Sequence, residues 1–429
     1  MRVLICPDKF AGTLTAVEAA QAVADGWRTV APGDELICRP IADGGPGFVE
    51  VLHSSLGGEL VEVATTDPLG RPAAGAVLLV GEPGDRIAYV ESAQACGLHL
   101  VDPAERDPKA TSSYGLGALV LAAIEHGARR VIVGLGGSAT NDGGAGLLAA
   151  LGAVGLDAAG QPLAPGGAAL TACTSLATND NPGVVATTAG LSPAAEHSDG
   201  PAAGTAEDSA AAQTPADGSA ATAEAGAADG VRLLPAEVEL IAATDVDNPL
   251  TGLHGASAVY GPQKGATPQD VTLLDAALAN WAAVLERELP GCPAKLAELP
   301  GGGAAGGLGA AILALGGSVA SGIDLVRELT GLDQVLEETD LVITGEGSFD
   351  HQSLRGKAIS GLAGAARDLG IPCVVLAGRV TTGRREQGAA GVTEAHALVD
   401  HFGSVELALA EPARGLRELA ARLATQWSR

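Results

Sequence analysis

The carboxylates of this chain recur in short polar segments, most of them directly after apolar runs: Asp8 in "ICPDKF", Asp43 in "ADGGPG", Asp142 in "GLGGSATNDGG", Asp245 and Asp247 in "ATDVDNP", and Glu346 and Asp350 in "LVITGEGSFD". Lys9, Lys264 and Lys357 are their candidate positive partners. Phosphoryl transfer needs carboxylates that hold Mg²⁺ or accept a hydroxyl proton, and cations or amides that take up the charge of the moving group. Each residue also has a structural reading, since an Asp after a strand can cap a helix or close a turn, and a lysine can form a surface ion pair. The repeated placement after strands is what favours chemistry.

In "GLGGSATNDGG", residues 134–144, glycines such as Gly136 and Gly137 permit N–H groups to converge on a ligand, and Ser138, Thr140 and Asn141 can donate hydrogen bonds. A helix N-terminus following the loop would favour an anion. Asp142 could bind Mg²⁺, accept a substrate hydroxyl, or cap that helix. The Gly-Lys-Ser/Thr ending of a Walker A loop is absent, and so is the dinucleotide fingerprint. In "TDVDNPLTGLHGASAVYGPQKGAT", residues 244–267, Asp245, Asp247 and Asn248 offer several oxygens from one loop, which makes Asp247 the second metal candidate beside Asp142. Gln263 and Lys264 could clamp a carboxylate or phosphate, while an Asx turn through Asn248 and Pro249 is the structural alternative. Lys357 precedes an expected helix, a poor place for an idle cation, which favours a ligand role.

These loops need a scaffold of strands and helices. "VLIC" reads as a buried strand; Thr15 and Glu18 have capping-box spacing ahead of a helix whose Val17, Ala20, Ala24 and Trp27 recur at helical period. Further strands are expected at residues 36–40, 60–64, 76–80, 87–90, 131–135 and 238–244, and helices at 117–126, with Gly127 as C-terminal cap, and 145–151. Residues 268–289 read as a long helix with Leu273, Leu274, Ala277, Leu278 and Trp281 buried. "LVITGEGSFD", "LRGKAISGLAGAARDLG" and "IPCVVLAG" have the order of a βαβ unit, and residues 416–427 read as a packing helix. Ligand residues at the carboxyl ends of parallel strands are the usual geometry of such α/β folds.

A chain of 429 residues suggests two domains, and 47% hydrophobic with only 2% aromatic residues implies cores of Ala, Val, Leu and Ile. A formal net charge of −26 disfavours nucleic acid or an anionic membrane as partner, but not a small anion held by local cations. The cysteines are too scattered for a disulfide scaffold or a zinc site. With no signal-peptide pattern and no apolar run long enough to span a bilayer, the cytoplasm is the expected location. Residues 193–230 contain acidic residues but no Lys or Arg and no Val, Ile, Leu, Phe, Tyr or Trp, and read as a disordered acidic surface insertion.

Together, "ICPDKFAGTLTAVEAA", "ADGGPG", "YGLGALVLAAIEHGARRVIVGLGGSATNDGGAGLLAALG", "ATDVDNPLTGLHGASAVYGPQKGAT", "GGGAAGGLGAAILALGG" and "LVITGEGSFDHQSLRGKA" resemble, in order, the bacterial glycerate kinase family unrelated to the P-loop, sugar-kinase and actin-like kinases. The resemblance covers nearly the whole chain outside residues 193–230. It implies a Rossmann-like discontinuous domain, residues 1–58 with 287–429, around an inserted α/β domain at 59–286, with the active site in the cleft between them. It also implies transfer of the γ-phosphoryl of ATP, with Mg²⁺, to D-glycerate, giving 2-phosphoglycerate. Asp245 or Asp43 would orient or deprotonate the hydroxyl, Lys9 or Lys357 would neutralise charge, and a monomer or a homodimer would be compatible. The chain departs from the family pattern at Asp8-Lys9-Phe10-Ala11-Gly12, where Asp-Ser-Phe-Lys-Gly is common, and at Pro46, where Glu is frequent.

Overall fold

The computed structural model describes residues 1–10, 12–82, 84–178, 233–351, 353–354 and 358–428; the acidic segment 193–230 and Lys357 lie outside these described residues. The first two strands, β1 (Arg2–Ile5) and β2 (Glu35–Cys38), flank the helix Ala16–Arg28. That helix starts where its capping box places it: the Glu18 amide donates to Thr15 Oγ1 at 3.1 Å, and the Thr15 amide donates to the Glu18 carboxylate at 2.9 Å. Its Ala20, Val23 and Trp27 then meet Leu416, Leu419 and Leu423 of the helix Pro412–Trp427. The apolar period thus builds one face of a sheet-and-helix layer.

The chain continues through β3 (Glu59–Thr66), β4 (Pro72–Val80), β5 (Arg86–Glu91), β6 (Ala128–Gly134), the hairpin β7 (Ala153–Leu156) and β8 (Ser175–Thr178), β9 (Glu239–Ala243) and β10 (Ser318–Ala320). It ends with β11 (Leu341–Phe349), β12 (Cys373–Val380) and β13 (Glu394–Ala397). Two main sheets result. One is parallel throughout, in the order β13-β12-β11-β1-β2, and the other has the order β10-β9-β6-β5-β4-β3, parallel from β10 to β5 and antiparallel at β4 and β3. The fold is mixed α/β, and the parallel β11 and β12 are joined by the helix Ala358–Asp368 as a βαβ unit. Among the described residues no helix is long and apolar enough to cross a membrane.

Two local expectations change. Residues 287–320 do not join the parallel five-stranded sheet: β10 pairs with β9, and Leu296, Leu308 and Ile312 enter the core around the six-stranded sheet. Glycine makes this placement sterically accessible, because a Cβ at Gly306 would lie 1.9 Å from the Thr140 carbonyl oxygen. Leu273 is 41% exposed, since the buried stripe of the helix Pro268–Glu288 runs Leu274, Ala277, Leu278, Trp281 and Leu273 sits one residue, about 100°, off it.

The carboxyl ends of the two sheets meet backbone to backbone. A Cβ on Gly44 would stand 2.2 Å from the Ala243 carbonyl oxygen, one on Gly134 2.5 Å from Gly44 O, one on Gly136 2.6 Å from Gly45 Cα, and one on Gly322 2.4 Å from Asp43 O. Gly44 also has φ +91°, a left-handed conformation that any side chain would strain. Gly44→Ala is therefore expected to cost about 2–3 kcal/mol of folding stability, read as a lower urea midpoint. An unchanged midpoint would show that the sheets can separate there without cost.

Candidate functional site

At this junction lies a cavity of about 750 Å³. The five-stranded sheet supplies Asp8 and Lys9 after β1, Asp43 after β2, Glu346 to Ser348 in the last turns of β11, and Gly378 and Arg379 at the end of β12; Asp245, after β9, comes from the six-stranded sheet. Of the residues singled out from sequence, Asp8, Lys9, Asp43, Asp245, Glu346 and Asp350 are thus brought together, all at or beyond the carboxyl ends of strands. Their neighbours in sequence are strand residues with 0–1% exposure, such as Leu4, Ile5, Val342 and Ile343, so the apolar runs anchor the polar ends.

Lys9 sits between two carboxylates, with Nζ 3.7 Å from Asp8 Oδ1 and 3.5 Å from Asp43 Oδ1. Burial works against its charge, but Asp8 and Asp43 outweigh it and raise the Lys9 ammonium above the ordinary lysine value. Asp43 is also desolvated, yet Lys9 and the Gly45 amide, which donates to Oδ1 at 3.0 Å, hold its carboxyl below the usual range. Burial pushes Asp8 up to about 6, with Asp43 adding to the rise and Lys9 opposing it. Glu346 rises to about 7 for the same first reason, with Asp8 and Asp350 adding and the Ser353 hydroxyl and Lys9 opposing. Its Oε1 is buried without a hydrogen-bond partner among the described residues. Asp245 is oriented by the Ser321 hydroxyl, 2.7 Å from Oδ1, and by the Ile323 amide, 3.2 Å from Oδ2, at the start of the helix Gly322–Leu329.

A family model described as "Glycerate kinase family" matches residues 3–189 and 203–428. The chain belongs to this family. It is 36% identical over 382 residues to a glycerate kinase of Bacillus subtilis, covering 89% of this chain and 86% of that one. It is 34% identical over 429 residues to glycerate 2-kinase of Escherichia coli, covering 99% and 98% of the two. A crystal structure from Salmonella typhimurium LT2, provisionally described as glycerate kinase 2, superimposes with a TM-score of 0.72 at 34% identity, over 99% of this chain and 98% of that one.

In this family member the "GLGGSATNDGG" loop does not line the cavity. Ser138, Thr140, Asn141 and Asp142 are 0–3% exposed. Asp142 accepts from the Ser113 amide and hydroxyl, both at 2.8 Å, and from the amides of Gly144 at 3.1 Å and Gly146 at 3.2 Å, which is the capping alternative rather than a metal ligand's environment. Asn141 donates to Ser257 Oγ at 2.9 Å. Lys264, expected at a ligand, is 2% exposed and donates to Ser138 Oγ at 2.9 Å and Thr140 O at 2.6 Å, pinning the loop from inside. Gly136 and Gly137 instead form the bed of the 44–46 turn, where a Cβ on Gly137 would meet Pro46 Cγ at 2.9 Å. Asp247 and Gln263 are exposed outside the cavity, and Asn248 closes its own loop by donating to His254 O at 2.7 Å and accepting from Tyr260 OH at 2.8 Å. The "GLGGSATNDGG" loop is, here, the scaffold of the turn at residues 44–46.

Sequence reasoning passed over Thr13, Ser348, Ser353 and Arg379, which line the cavity, and Glu91, whose Oε2 accepts from the Gly47 amide at 3.0 Å and the Val49 amide at 3.4 Å. Arg379 was findable, because it stands at the end of an expected strand as Asp8 and Glu346 do. Glu91 also stands at the end of an expected strand, but its partners, 44 and 42 residues away, could not be read from sequence.

Burial lowers Lys264 from 10.5 to about 7, with Asp142 and Cys96 opposing. Between those two values the unfolded chain holds a proton there that the folded chain has released, so this residue weakens the fold near neutrality and does so less as pH rises. Urea titrations of the wild type and Lys264→Met at pH 7 and pH 9 should show a wild-type rise, on the order of 2 kcal/mol, that the variant lacks. Equal slopes for the two proteins would mean that Lys264 keeps its proton in the fold.

Proposed function

We propose that the chain transfers the γ-phosphoryl of ATP to D-glycerate, giving 2-phosphoglycerate and ADP, in the cavity between a discontinuous outer α/β unit and an inserted one. The observation that carries this reading is Lys9 held charged between Asp8 and Asp43, with Asp245 entering the same cavity from the other sheet. Family membership and the names of the relatives from Bacillus subtilis and Escherichia coli point to the same acceptor.

The roles follow from the environments. Asp43 is a weak base, because Lys9 and the Gly45 amide stabilise its anion; its work is to fix Lys9. Asp245, its direction set by the Ser321 hydroxyl and the Ile323 amide, is the group to orient the glycerate hydroxyl and take its proton. Lys9 offsets negative charge on the acceptor and on the transferring group.

Mg²⁺ that arrives with ATP needs only one or two protein carboxylates, the phosphates and water filling its other positions. Neither sequence-stated metal candidate fits: Asp142 is saturated by internal donors and Asp247 lies outside the cavity. Glu346 fits better, with a buried Oε1 lacking a partner among the described residues and Asp8 beside it, the Asp8 amide donating to Gly345 O at 2.8 Å. The ion would neutralise the phosphate oxygens; these two carboxylates would hold it.

The test is a purified-protein assay with ATP, Mg²⁺ and both glycerate enantiomers, with glycolate, lactate and tartronate as alternative acceptors, and phosphorus NMR of the product. Asp245→Asn is expected to lower kcat/KM for D-glycerate by roughly 100-fold or more. No product from D-glycerate would overturn the function, and an unchanged kcat/KM in the variant would remove Asp245 from the mechanism.

A further inference from the structure

The lining of the cavity changes character along the strand order of the parallel sheet. Beyond β2 and β1 stand Asp43, Asp8 and Lys9; in β11 come Glu346 and Ser348; in β12 comes Arg379; beyond β13 come Leu398 and Val399. The register keeps these positions level, with Glu346 opposite Ala377, Ser348 opposite Arg379, and Ala377 opposite Ala397. At about 4.8 Å per strand, the three steps from β1 to β13 span about 14 Å.

At the β13 end the wall is completed by Ile359, Val405, Leu409 and Pro412, and none of the described lining residues there carries a charge. Val405 is 41% and Leu409 60% exposed, so these side chains are left facing the cavity and solvent rather than packed into the core. A charged group entering there would lose hydration without compensation, whereas a flat, largely apolar ring would gain contact area.

We infer that the apolar end formed by Leu398, Val399, Val405 and Leu409 is the seat of the nucleoside base of the phosphoryl donor. This rests on the kinase reading above and orients the donor within the cavity. The base lies over the β13 edge, the polyphosphate runs back past Arg379 and the β11 end, and the terminal phosphoryl reaches the acceptor near Lys9 and Asp245. The continuity of one cavity from an apolar end through two cations to the carboxylates is what selects a nucleotide over a hydrocarbon ligand, which would have no use for Arg379 and Lys9. The small acceptor, being an anion, has a complement in Lys9, on the side where Asp245 enters the cavity.

The neighbouring Leu407 supplies an internal control, since it lies on the same helix, Val405–Ala410, and is 41% exposed but does not line the cavity. ADP binding by calorimetry, KM values for ATP and D-glycerate, and mass by light scattering would be measured for the wild type, Leu409→Glu, Val405→Glu and Leu407→Glu. The expected result is a tenfold or larger rise in the ADP dissociation constant and in KM for ATP with Leu409→Glu and Val405→Glu, a glycerate KM within twofold of wild type, and no change with Leu407→Glu. ADP affinity and KM for ATP unmoved in the first two variants would overturn the base seat while leaving the glycerate kinase reading intact. A change shared by all three variants that tracks the loss of a dimer would also overturn it, and would assign this helix to a second copy of the chain. A wild type that binds ADP with this pattern of variants but phosphorylates no glycerate would support the seat and sink the acceptor assignment alone.

Discussion

The contact on which the site depends is backbone against backbone, where the turn carrying Asp43 lies on the carboxyl ends of β6 and β9. No side chain fits in that seam: Gly44, Gly134, Gly136 and Gly322 each present bare backbone to a partner that a Cβ would strike at 2.2–2.6 Å. The close approach brings Asp245 of one sheet to the same cavity as Lys9 and Asp43 of the other. Glu91 fastens the seam by accepting the amides of Gly47 and Val49, so the helix Phe48–Leu56 starts from an anchor in the six-stranded sheet. The arrangement has a steric cause and an electrostatic consequence, since carboxylates and a lysine that would be harmless on separate surfaces are brought close enough to shift one another's proton affinity.

A chain of formal net charge −26 has to reverse its own field locally to accept the anionic substrates proposed for it. Lys9 does so by being held charged between two carboxylates, and Arg379 adds a second cation at the cavity wall. Burial also pushes Asp8 up to about 6 and Glu346 up to about 7, so that leaving either carboxylate charged without a nearby cation is costly. The same burial on Lys264 works in the opposite sense, lowering a cation to about 7 because it is surrounded by loop backbone and hydroxyls rather than by two carboxylates.

Much of the scaffold was legible because it is local. The capping box at Thr15 and Glu18, the period of Leu274, Leu278 and Trp281, and the strand–helix–strand order around residues 341–380 each depend on residues a few positions apart. The cavity carboxylates were legible by a local rule too, since Asp8, Asp43, Asp245 and Glu346 all lie at or just beyond strand ends. The rule failed where burial decides. "GLGGSATNDGG" has the same composition as a ligand loop, but Gly306 and Gly307, more than 160 residues later, lie directly against its backbone, and Lys264 fills its interior.

By itself the sequence determined the α/β class, the family, the start of the capped helices and the positions where polar groups leave strands, all of which follow from propensity, period and capping over short spans. Only the tertiary structure decided which of those polar groups share a cavity and which are internal struts, that residues 287–320 belong with the six-stranded sheet, and that the wall changes from charged to apolar toward β13. The physical reason is that burial and strand order are properties of pairs of segments distant in the chain. An Asp after a strand looks the same at Asp142 and at Asp245 until four internal donors close around one and the cavity opens beside the other.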